Sequence, residues 1–347
     1  MSALVPQQSL RKFLGKLDRK SEQKAALAKV ILALASAAAE VAGAIADGSK
    51  NASFAKEGEV NVQGETQKFL DVFAHDAFLT AAAASQVNCV LSEEEENVVI
   101  LDRSGTLALA IDPLDGSSNI AINAPIGTIF GLYAAVAGGA DKQFLRQGKD
   151  LLAAGYVVYG PRTELVLTLG TAAKKFVLNG DRSDWHFAGY CKIPDSACEF
   201  AINASNHRHW SSKIRTFVNN CLDGKHGPYG ADYNMRWLAA LVGETHRILT
   251  RGGLFIYPAD NRKGYEHGRL RYCYECAPIS FLIEKAGGKA TDGMTRILDL
   301  VPASLHARVP FCFGSPKQMA LFETEKAELV EQNSPLFSAR GLFRTQA

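Results

Sequence analysis

The sequence predicts an α/β protein built as two closely packed domains. Its 347 residues exceed what one ordinary hydrophobic core organises. Helical periodicity dominates up to about residue 84, and short β-rich apolar runs follow between 87 and 178. Strands and helices alternate after that. We therefore predict an N-terminal α+β domain at 1–195, a C-terminal α/β domain at 196–332 and a loose tail at 333–347.

The N-terminal part is helical by its hydrophobic pattern. Residues 20–48 are rich in Ala and Leu, with apolar positions at helical spacing, and form one long helix or a helix pair that stops near Gly48. The polar, glycine-containing stretch at 51–64 predicts a mobile loop, and a further helix follows at about 67–84. Mobile loops beside active sites often act as lids.

Six runs rich in β-branched and aromatic residues predict a first sheet. They are Val87–Leu91, Leu107–Ile111, Thr128–Val136, Tyr156–Tyr159, Leu165–Leu169 and Lys175–Leu178. The elements predicted after them are a strand near 198–203, helices near 210–222, 235–249 and 276–286, and a strand at Leu254–Tyr257.

Composition and charge exclude several classes of function. The 38 basic and 36 acidic side chains leave a formal net charge of +2 and are interspersed, so neither nucleic acid nor a membrane surface is an expected partner. No uncharged apolar run reaches about 18 residues, and the first residues lack a signal-peptide pattern. Seven scattered cysteines, an odd number, predict a reducing, cytoplasmic location. The expected partners are small molecules.

The most informative motif is Asp112-Pro-Leu-Asp-Gly-Ser-Ser-Asn119, which follows an apolar run. In an open α/β sheet, ligands collect beyond the carboxyl ends of strands, which is where this run delivers Asp112. The two carboxylates of the turn can face one hard cation, while Gly116 lets the chain turn closely. The amides of Ser117 and Ser118 can form an anion site. The motif thus favours metal-assisted phosphoryl transfer, although an Asp-rich turn capped by serines is the structural alternative.

A second acidic segment, Ser92-Glu-Glu-Glu-Glu96, also follows an apolar run directly. Glu93 and Glu94 occupy a strand end from which they could join Asp112 at a metal. The last two glutamates of the segment are interpreted as a solvated turn. Asp71 lies on the helix predicted at about 67–84, where an Asp taken alone is more often a surface residue.

Eight stretches occur together in a fixed order. They are Asn61-Val-Gln-Gly-Glu65, Leu70-Asp-Val72, Leu91-Ser-Glu-Glu94, Asp112-Pro-Leu-Asp-Gly-Ser-Ser-Asn119, Ile126-Gly-Thr-Ile-Phe-Gly131, Gly252-Gly-Leu-Phe-Ile-Tyr-Pro258, Tyr274-Glu-Cys276 and Glu284-Lys-Ala-Gly-Gly288. In this order they resemble the corresponding stretches of class I fructose-1,6-bisphosphatases. The resemblance covers the chain from about residue 20 to about residue 330. The turn at 112–118 alone would indicate only the wider lithium-sensitive, metal-dependent phosphatase superfamily. The resemblance implies a layered two-domain sugar-phosphatase fold and hydrolysis of the 1-phosphate of fructose 1,6-bisphosphate.

The resemblance also implies a metal site and water-activating residues. The site would hold roughly two or three Mg²⁺ ions, with Mn²⁺ or Zn²⁺ as substitutes. Its ligands would be Glu93, Glu94, Asp112, Asp115, Glu275 and the backbone carbonyl of Leu114. Asp71, together with Glu94, would polarise the attacking water. Glu65 stands where the family usually has an Asp in a mobile loop, and we assign it to catalysis as well.

Substrate-binding residues carry over in the same way. The 1-phosphate would lie against Asp115, Gly116, Ser117 and Ser118, and the 6-phosphate and sugar against Asn206, Tyr257 and Arg269. Arg269 stands where many members have Lys, and a planar guanidinium is not interchangeable with an ammonium. Arg236 occupies a position from which the family reaches the 6-phosphate across a subunit boundary. The resemblance therefore implies a homotetramer, whereas an exposed helix arginine is the alternative for Arg236.

Other functions remain open at this point. A related enzyme could act on sedoheptulose 1,7-bisphosphate as well, and the pathway could be gluconeogenesis or the Calvin cycle. An inositol monophosphatase is disfavoured, because Tyr257-Pro258 and Tyr274-Glu-Cys276 fit the bisphosphatase pattern. From a different class, the chain could be a non-catalytic sensor of sugar phosphates, but the complete carboxylate set argues against this.

Overall fold

The computed structural model of the protein describes residues 8–17, 21–48, 57–60 and 66–325. Glu65 and the tail predicted at 333–347 lie outside the described residues, as does most of the predicted loop. The described helices are α1 (Leu10–Leu14), α2 (Glu22–Asp47), α3 (Phe69–Ala84), α4 (Ser212–Leu222), α5 (Leu241–Arg251), α6 (Ala277–Lys285) and α7 (Pro316–Thr324). The described strands are β1 (Glu57–Val60), β2 (Thr66–Lys68), β3 (Cys89–Ser92), β4 (Val99–Ile100), β5 (Leu107–Asp115), β6 (Ile126–Ala134), β7 (Leu151–Tyr159), β8 (Thr163–Thr168), β9 (Ala173–Leu178), β10 (Trp185–Cys191), β11 (Glu199–Ala201), β12 (Asn234–Met235), β13 (Leu254–Tyr257), β14 (Leu270–Arg271), β15 (Lys289–Thr291), β16 (Arg308–Val309) and β17 (Phe311–Gly314).

These elements stack as helix, sheet, helix, sheet and helix layers. The first sheet has the order β10-β9-β8-β7-β6-β5-β3-β4, and the second has the order β12-β11-β13-β17-β15. Helices α1, α2 and α3 pack on one face of the first sheet. Helices α5 and α6 fill the space between the two sheets, and α4 and α7 cover the far face of the second. The layered α/β architecture predicted from the sequence is confirmed.

Strand β5 shows why the layers form. All nine of its residues are buried. Leu107 and Leu109 point into the core shared with α2 and α3, whereas Ala108 and Ala110 point into the core shared with α6. Because successive side chains of a strand alternate between faces, this one apolar run seals two cores.

Helix α2 is one continuous helix of 26 residues, the first of the two predicted alternatives. Its buried side chains recur three and four positions apart, as Leu27, Val30, Ile31 and Leu34 illustrate. Charged residues interrupt every strictly apolar run, yet by length and average hydropathy α2 could cross a membrane. Half of its most apolar stretch is buried inside the protein, as in a core helix.

The helix predicted at 235–249 begins later than expected, at Leu241. Strand β12 and an irregular segment, in which Ala239 has φ of 56°, precede it instead. Two side-chain hydrogen bonds hold that segment, because Glu244 accepts from the Leu238 amide at 2.6 Å and Asn119 donates to the Leu238 carbonyl at 3.0 Å. The late start therefore depends in part on a tertiary contact, the bond from Asn119, which local periodicity does not record.

Candidate active site

Two parallel strands deliver acidic residues to the same edge of the first sheet. Ser92 of β3 is paired with Ile111 of β5, and the Glu93 amide donates to the Ile111 carbonyl at 3.1 Å. Glu93 and Asp112 each come directly after one residue of this pair, so the two acids lie next to each other at the end of the strands. Both positions were predicted, because an apolar run precedes each acid in the sequence.

A β-bulge turns Asp112 and Asp115 to the same side of the sheet. Asp112 is opposite Ile129 and Asp115 is opposite Gly127, so three steps along β5 match two steps along β6. In a regular strand, residues three apart point to opposite faces, and the extra residue of the bulge cancels that alternation. The Leu114 amide donates to Asp112 Oδ1 at 3.0 Å and stabilises the turn.

A buried pair of hydroxyl groups holds the same turn from behind. Thr128 Oγ1 donates to the Pro113 carbonyl at 2.9 Å and lies 2.9 Å from the Tyr159 hydroxyl. Both side chains are buried. Since the Thr128 hydroxyl has only one proton, Tyr159 is the donor to Thr128. The chain of hydroxyls fixes the direction of the backbone next to Leu114.

The third acid comes from a distant part of the chain. Tyr272–Cys276 forms a single π-helical turn, a rare conformation that is frequent at functional sites. Within it, Glu275 Oε2 accepts a hydrogen bond from the Arg271 amide at 2.6 Å. Asp112, Asp115 and Glu275 offer carboxylate oxygens that all lie within 4.8 Å of one another, and all three residues are buried.

This cluster is unfavourable without a cation. Burial raises the pKa of Asp112 well above its usual range, and the charges of Glu93, Asp115 and Glu275 raise it further. Burial, followed by the charge of Glu93, raises the pKa of Glu275. Burial also raises the pKa of Asp115 to about 6, although two backbone amides at the start of α5 act in the opposite direction. Buried oxygen donors that repel one another fit a hard divalent cation.

Helix α5 presents its N-terminus to Asp115. The Val242 amide donates to Asp115 Oδ2 at 2.7 Å, while the N-cap residue Ala240 makes no side-chain capping bond. The carboxylate thus caps a helix from a remote part of the sequence. Gly116 has φ of 78°, and a Cβ there would lie 2.7 Å from the Cβ of Ala240. Glycine is therefore required for this close approach.

Most of the predicted site residues face one open cavity of about 540 Å³. Those that line it are Glu93, Asp115, Gly116, Ser117, Ser118, Tyr257, Arg269 and Glu275. Asn206 lines a smaller pocket that shares Tyr257 and Arg269 with the cavity. Acidic groups, two serines and a basic group therefore meet in one space, as a site for a metal and a phosphate ester requires.

Other predicted residues are placed differently. Asp71 is buried in the first turn of α3 and Glu94 is half-buried in the turn after β3, and neither is among the described residues that line the cavity. Arg236 is exposed and, within the described part of the chain, lines neither pocket. The Leu114 side chain is buried in the core beside α2 and α3. Glu65 lies outside the described residues.

Sequence reasoning missed two arginines of the cavity wall. Arg271 is 5% exposed and is paired directly opposite Arg308 across β14 and β16, and both line the cavity. Burial alone would lower the pKa of Arg271, but Tyr274, Glu275 and Glu93 raise it overall. Like charges opposite each other repel, so a bound anion in the cavity would stabilise this pair of arginines. Arg271 lies four residues before the predicted metal ligand Glu275, and this short spacing is the sequence signal from which it could have been predicted.

Comparison with protein-family models matches both halves of the chain. Residues 9–189 match the model described as Fructose-1-6-bisphosphatase, N-terminal domain. Residues 193–326 match the model described as Fructose-1-6-bisphosphatase, C-terminal domain. The resemblance predicted from the sequence is thereby confirmed.

Curated proteins and solved structures agree with these models. The chain is 53% identical to fructose-1,6-bisphosphatase class 1 1 of Cereibacter sphaeroides, over 90% of this chain and 94% of the relative. It is 50% identical to fructose-1,6-bisphosphatase class 1 of Paracoccus denitrificans, over 90% and 94%. The crystal structure of Leishmania major fructose-1,6-bisphosphatase in holo form superimposes with a TM-score of 0.84 at 28% identity, covering 91% of this chain and 98% of that one. The chain therefore belongs to the class 1 fructose-1,6-bisphosphatase family.

Proposed function

We propose that this chain hydrolyses the 1-phosphate of fructose 1,6-bisphosphate to fructose 6-phosphate and inorganic phosphate, with Mg²⁺ as its metal. The observation that carries the proposal is the buried cluster of Asp112, Asp115 and Glu275 at the edge of a cavity that also holds Arg269. Curated relatives that share about half of its residues are named for this substrate. A merely structural turn would not bring three buried carboxylates so close together.

The residues that would hold the metal are Glu93, Glu94, Asp112, Asp115, Glu275 and the carbonyl of Leu114. When bound, Mg²⁺ neutralises phosphate charge and lowers the pKa of water. Asp71 and Glu94 hold the attacking water and accept its proton, and Glu65 assists them. The amides of Gly116, Ser117 and Ser118 bind the 1-phosphate where the chain turns after β5.

The far side of the cavity would bind the sugar and the 6-phosphate. Tyr257 and Arg269 line both pockets, and Asn206 faces the smaller one. The guanidinium of Arg269 lies 4.7 Å from the centre of the Tyr265 ring, which orients its planar fork. Arg236 would enter from a neighbouring subunit of a homotetramer. The proposal includes a cytoplasmic enzyme whose two domains divide near residue 195.

The proposal is tested by measuring phosphate release from fructose 1,6-bisphosphate, sedoheptulose 1,7-bisphosphate and inositol 1-phosphate, each with and without Mg²⁺. We expect metal-dependent release of one phosphate per fructose 1,6-bisphosphate, with fructose 6-phosphate as the product. Comparable turnover of the seven-carbon substrate would widen the specificity. Turnover of inositol 1-phosphate alone would contradict the proposal, and no turnover at all would favour a sugar-phosphate sensor.

The hydroxyl pair behind the metal turn yields a second prediction. Thr128→Val keeps the side-chain shape but removes the donor to Pro113, so the backbone beside Leu114 loses its support. We expect the Mg²⁺ concentration for half-maximal activity to rise about tenfold and the free energy of unfolding to fall by about 1–3 kcal/mol. Magnesium titration of activity and thermal unfolding measure the two effects.

Thr168→Val is the matched control for this prediction. Thr168 is also a buried strand threonine, but its hydroxyl has no hydrogen-bond partner among the described residues. Its replacement should leave the magnesium requirement unchanged and cost little stability. If both variants changed the magnesium requirement equally, the hydroxyl pair of Thr128 and Tyr159 would have no specific role at the turn from Asp112 to Asp115.

A further inference from the structure

His75 connects helix α3 to the acidic turn that follows β3. Its Nδ1 lies 3.1 Å from Ser92 Oγ, and its Nε2 lies 3.1 Å from Glu95 Oε1. The imidazole is 12% exposed and Ser92 is fully buried. One side chain of α3 therefore contacts two residues of the acidic turn, which lie 17 and 20 positions later in the sequence.

The hydrogen bonds of this bridge extend to the backbone of Glu94. Ser92 Oγ accepts from the Glu94 amide at 3.3 Å, so its own proton is available to His75 Nδ1. In the neutral imidazole, Nε2 then carries the proton and donates to Glu95, which matches every donor with an acceptor. A protonated imidazole would donate to Ser92 and Glu95 instead and preserve both contacts.

The bridge joins the two segments that carry the proposed water-activating carboxylates. Asp71 lies four residues before His75, one helical turn away on the same face of α3. Glu94 follows Ser92 by two residues, and its amide is the end of the hydrogen-bond chain. We infer that His75 is a positioning residue that sets the separation of Asp71 and Glu94. This inference rests on the proposed function, since it concerns the residues assigned there to the attacking water.

A role in stability alone explains the arrangement less well. Glu95 is 40% exposed, and pairs that involve an exposed carboxylate contribute little to the stability of a fold. Placement of a nucleophile, by contrast, is sensitive to small displacements, because a shift of about 1 Å can cost about a hundredfold in rate. The Glu95 end of the bridge therefore adds little stability, whereas the Ser92 end can still fix the backbone of Glu94 for catalysis.

Three substitutions of His75 test the inference. In His75→Asn the amide reaches only to the position of Nδ1 and keeps the Ser92 contact, whereas in His75→Gln it reaches to the position of Nε2 and keeps the Glu95 contact. His75→Ala removes both. We expect kcat with fructose 1,6-bisphosphate and saturating Mg²⁺ to fall about tenfold or more in His75→Ala and His75→Gln, with KM within about twofold. His75→Asn should recover most of the loss.

Asp76→Ala is the matched control, since Asp76 is exposed on the same helix and should keep the wild-type kcat. Thermal unfolding of every variant shows whether the fold is kept. Ser92→Ala supplies a second route, because it breaks the same chain one step further on. It should lower kcat as His75→Ala does, and the double variant should be no worse than either single one.

The inference is overturned if His75→Ala keeps the wild-type kcat, if His75→Gln exceeds His75→Asn, or if the Ser92 and His75 effects add. A loss of kcat that only follows a loss of folded protein would overturn it as well. The wild-type assay separates the two proposals. Wild-type turnover with an insensitive His75 removes the positioning role alone, whereas a wild-type protein without turnover removes the phosphatase and the positioning role together.

Discussion

Asp112→Asn is expected to lower magnesium-dependent phosphate release by about a thousandfold or more and to make the metal-free protein more stable. The amide has nearly the same shape but cannot ionise, so a buried ligand of the proposed metal is lost. Without metal, the same change removes an acid whose ionisation is opposed in the folded state by burial and by the charges of Glu93, Asp115 and Glu275. The loss of activity and the gain in stability of the metal-free protein thus both come from the loss of the same carboxyl group.

The pH dependence of stability follows from the same carboxylates. Their pKa values are raised in the folded state, so the folded protein binds more protons than the unfolded chain above about pH 4. Stability is therefore fully present at low pH and is lost as the pH rises through the folded pKa values. For Asp115 this loss lies between about pH 4 and the folded value of about 6, and it amounts to at most about 3 kcal/mol. Excess Mg²⁺ should cancel it by binding the folded state.

Thermal unfolding of the wild type and of Asp112→Asn, in EDTA and in Mg²⁺ across this pH range, measures these effects. The variant should unfold at a higher temperature than the wild type in EDTA and gain less from Mg²⁺. Asp141→Asn, at an exposed acid outside the site, should behave as the wild type in both activity and unfolding. Magnesium-activated turnover of Asp112→Asn within tenfold of the wild type would show that this carboxylate is not a metal ligand.

The part of the site that β-strands carry was predictable from local pattern. Asp112 and Glu93 each follow an apolar run long enough to read as a buried strand, and parallel neighbours end at the same edge of a sheet. What the pattern did not show is the bulge, which turns Asp115 to the side of Asp112. A bulge depends on the partner strand, and the partner is known only once the sheet is assembled.

The rest of the site depends on long-range contacts. Glu275 was assigned only through the family resemblance, because no sequence pattern in Tyr272–Cys276 predicts a π-helical turn. Arg271 and Arg308 stand on strands of two residues each, which are too short for periodicity to detect. The late start of α5 at Leu241 has the same origin in part, since the remote side chain of Asn119, together with Glu244 of α5 itself, holds the segment before the helix.

Arg236→Ala is expected to raise the KM for fructose 1,6-bisphosphate by about tenfold to a hundredfold while kcat changes little. Arginine binds phosphate through charge-assisted hydrogen bonds, and a contact to the remote phosphate serves the bound substrate and the transition state alike. Within its own chain, Arg236 lies just after β12, where its amide donates to the Phe200 carbonyl at 2.8 Å and its side chain is exposed. Steady-state kinetics measure the effect, and Arg103→Ala, an exposed arginine elsewhere, should leave KM unchanged.

Mixed oligomers decide whether Arg236 acts across a subunit boundary. Arg236→Ala subunits keep an intact metal site, whereas Asp112→Asn subunits keep an intact arginine. If the arginine serves its neighbour, refolding the two variants together should create sites that combine both intact parts, and activity with a low KM should appear that neither variant shows alone. If Arg236 serves its own subunit, each mixed site retains its own defect, so the mixture shows only the sum of the two parents. That result would remove the need for an oligomer at this site, because the 6-phosphate would then be bound within one chain.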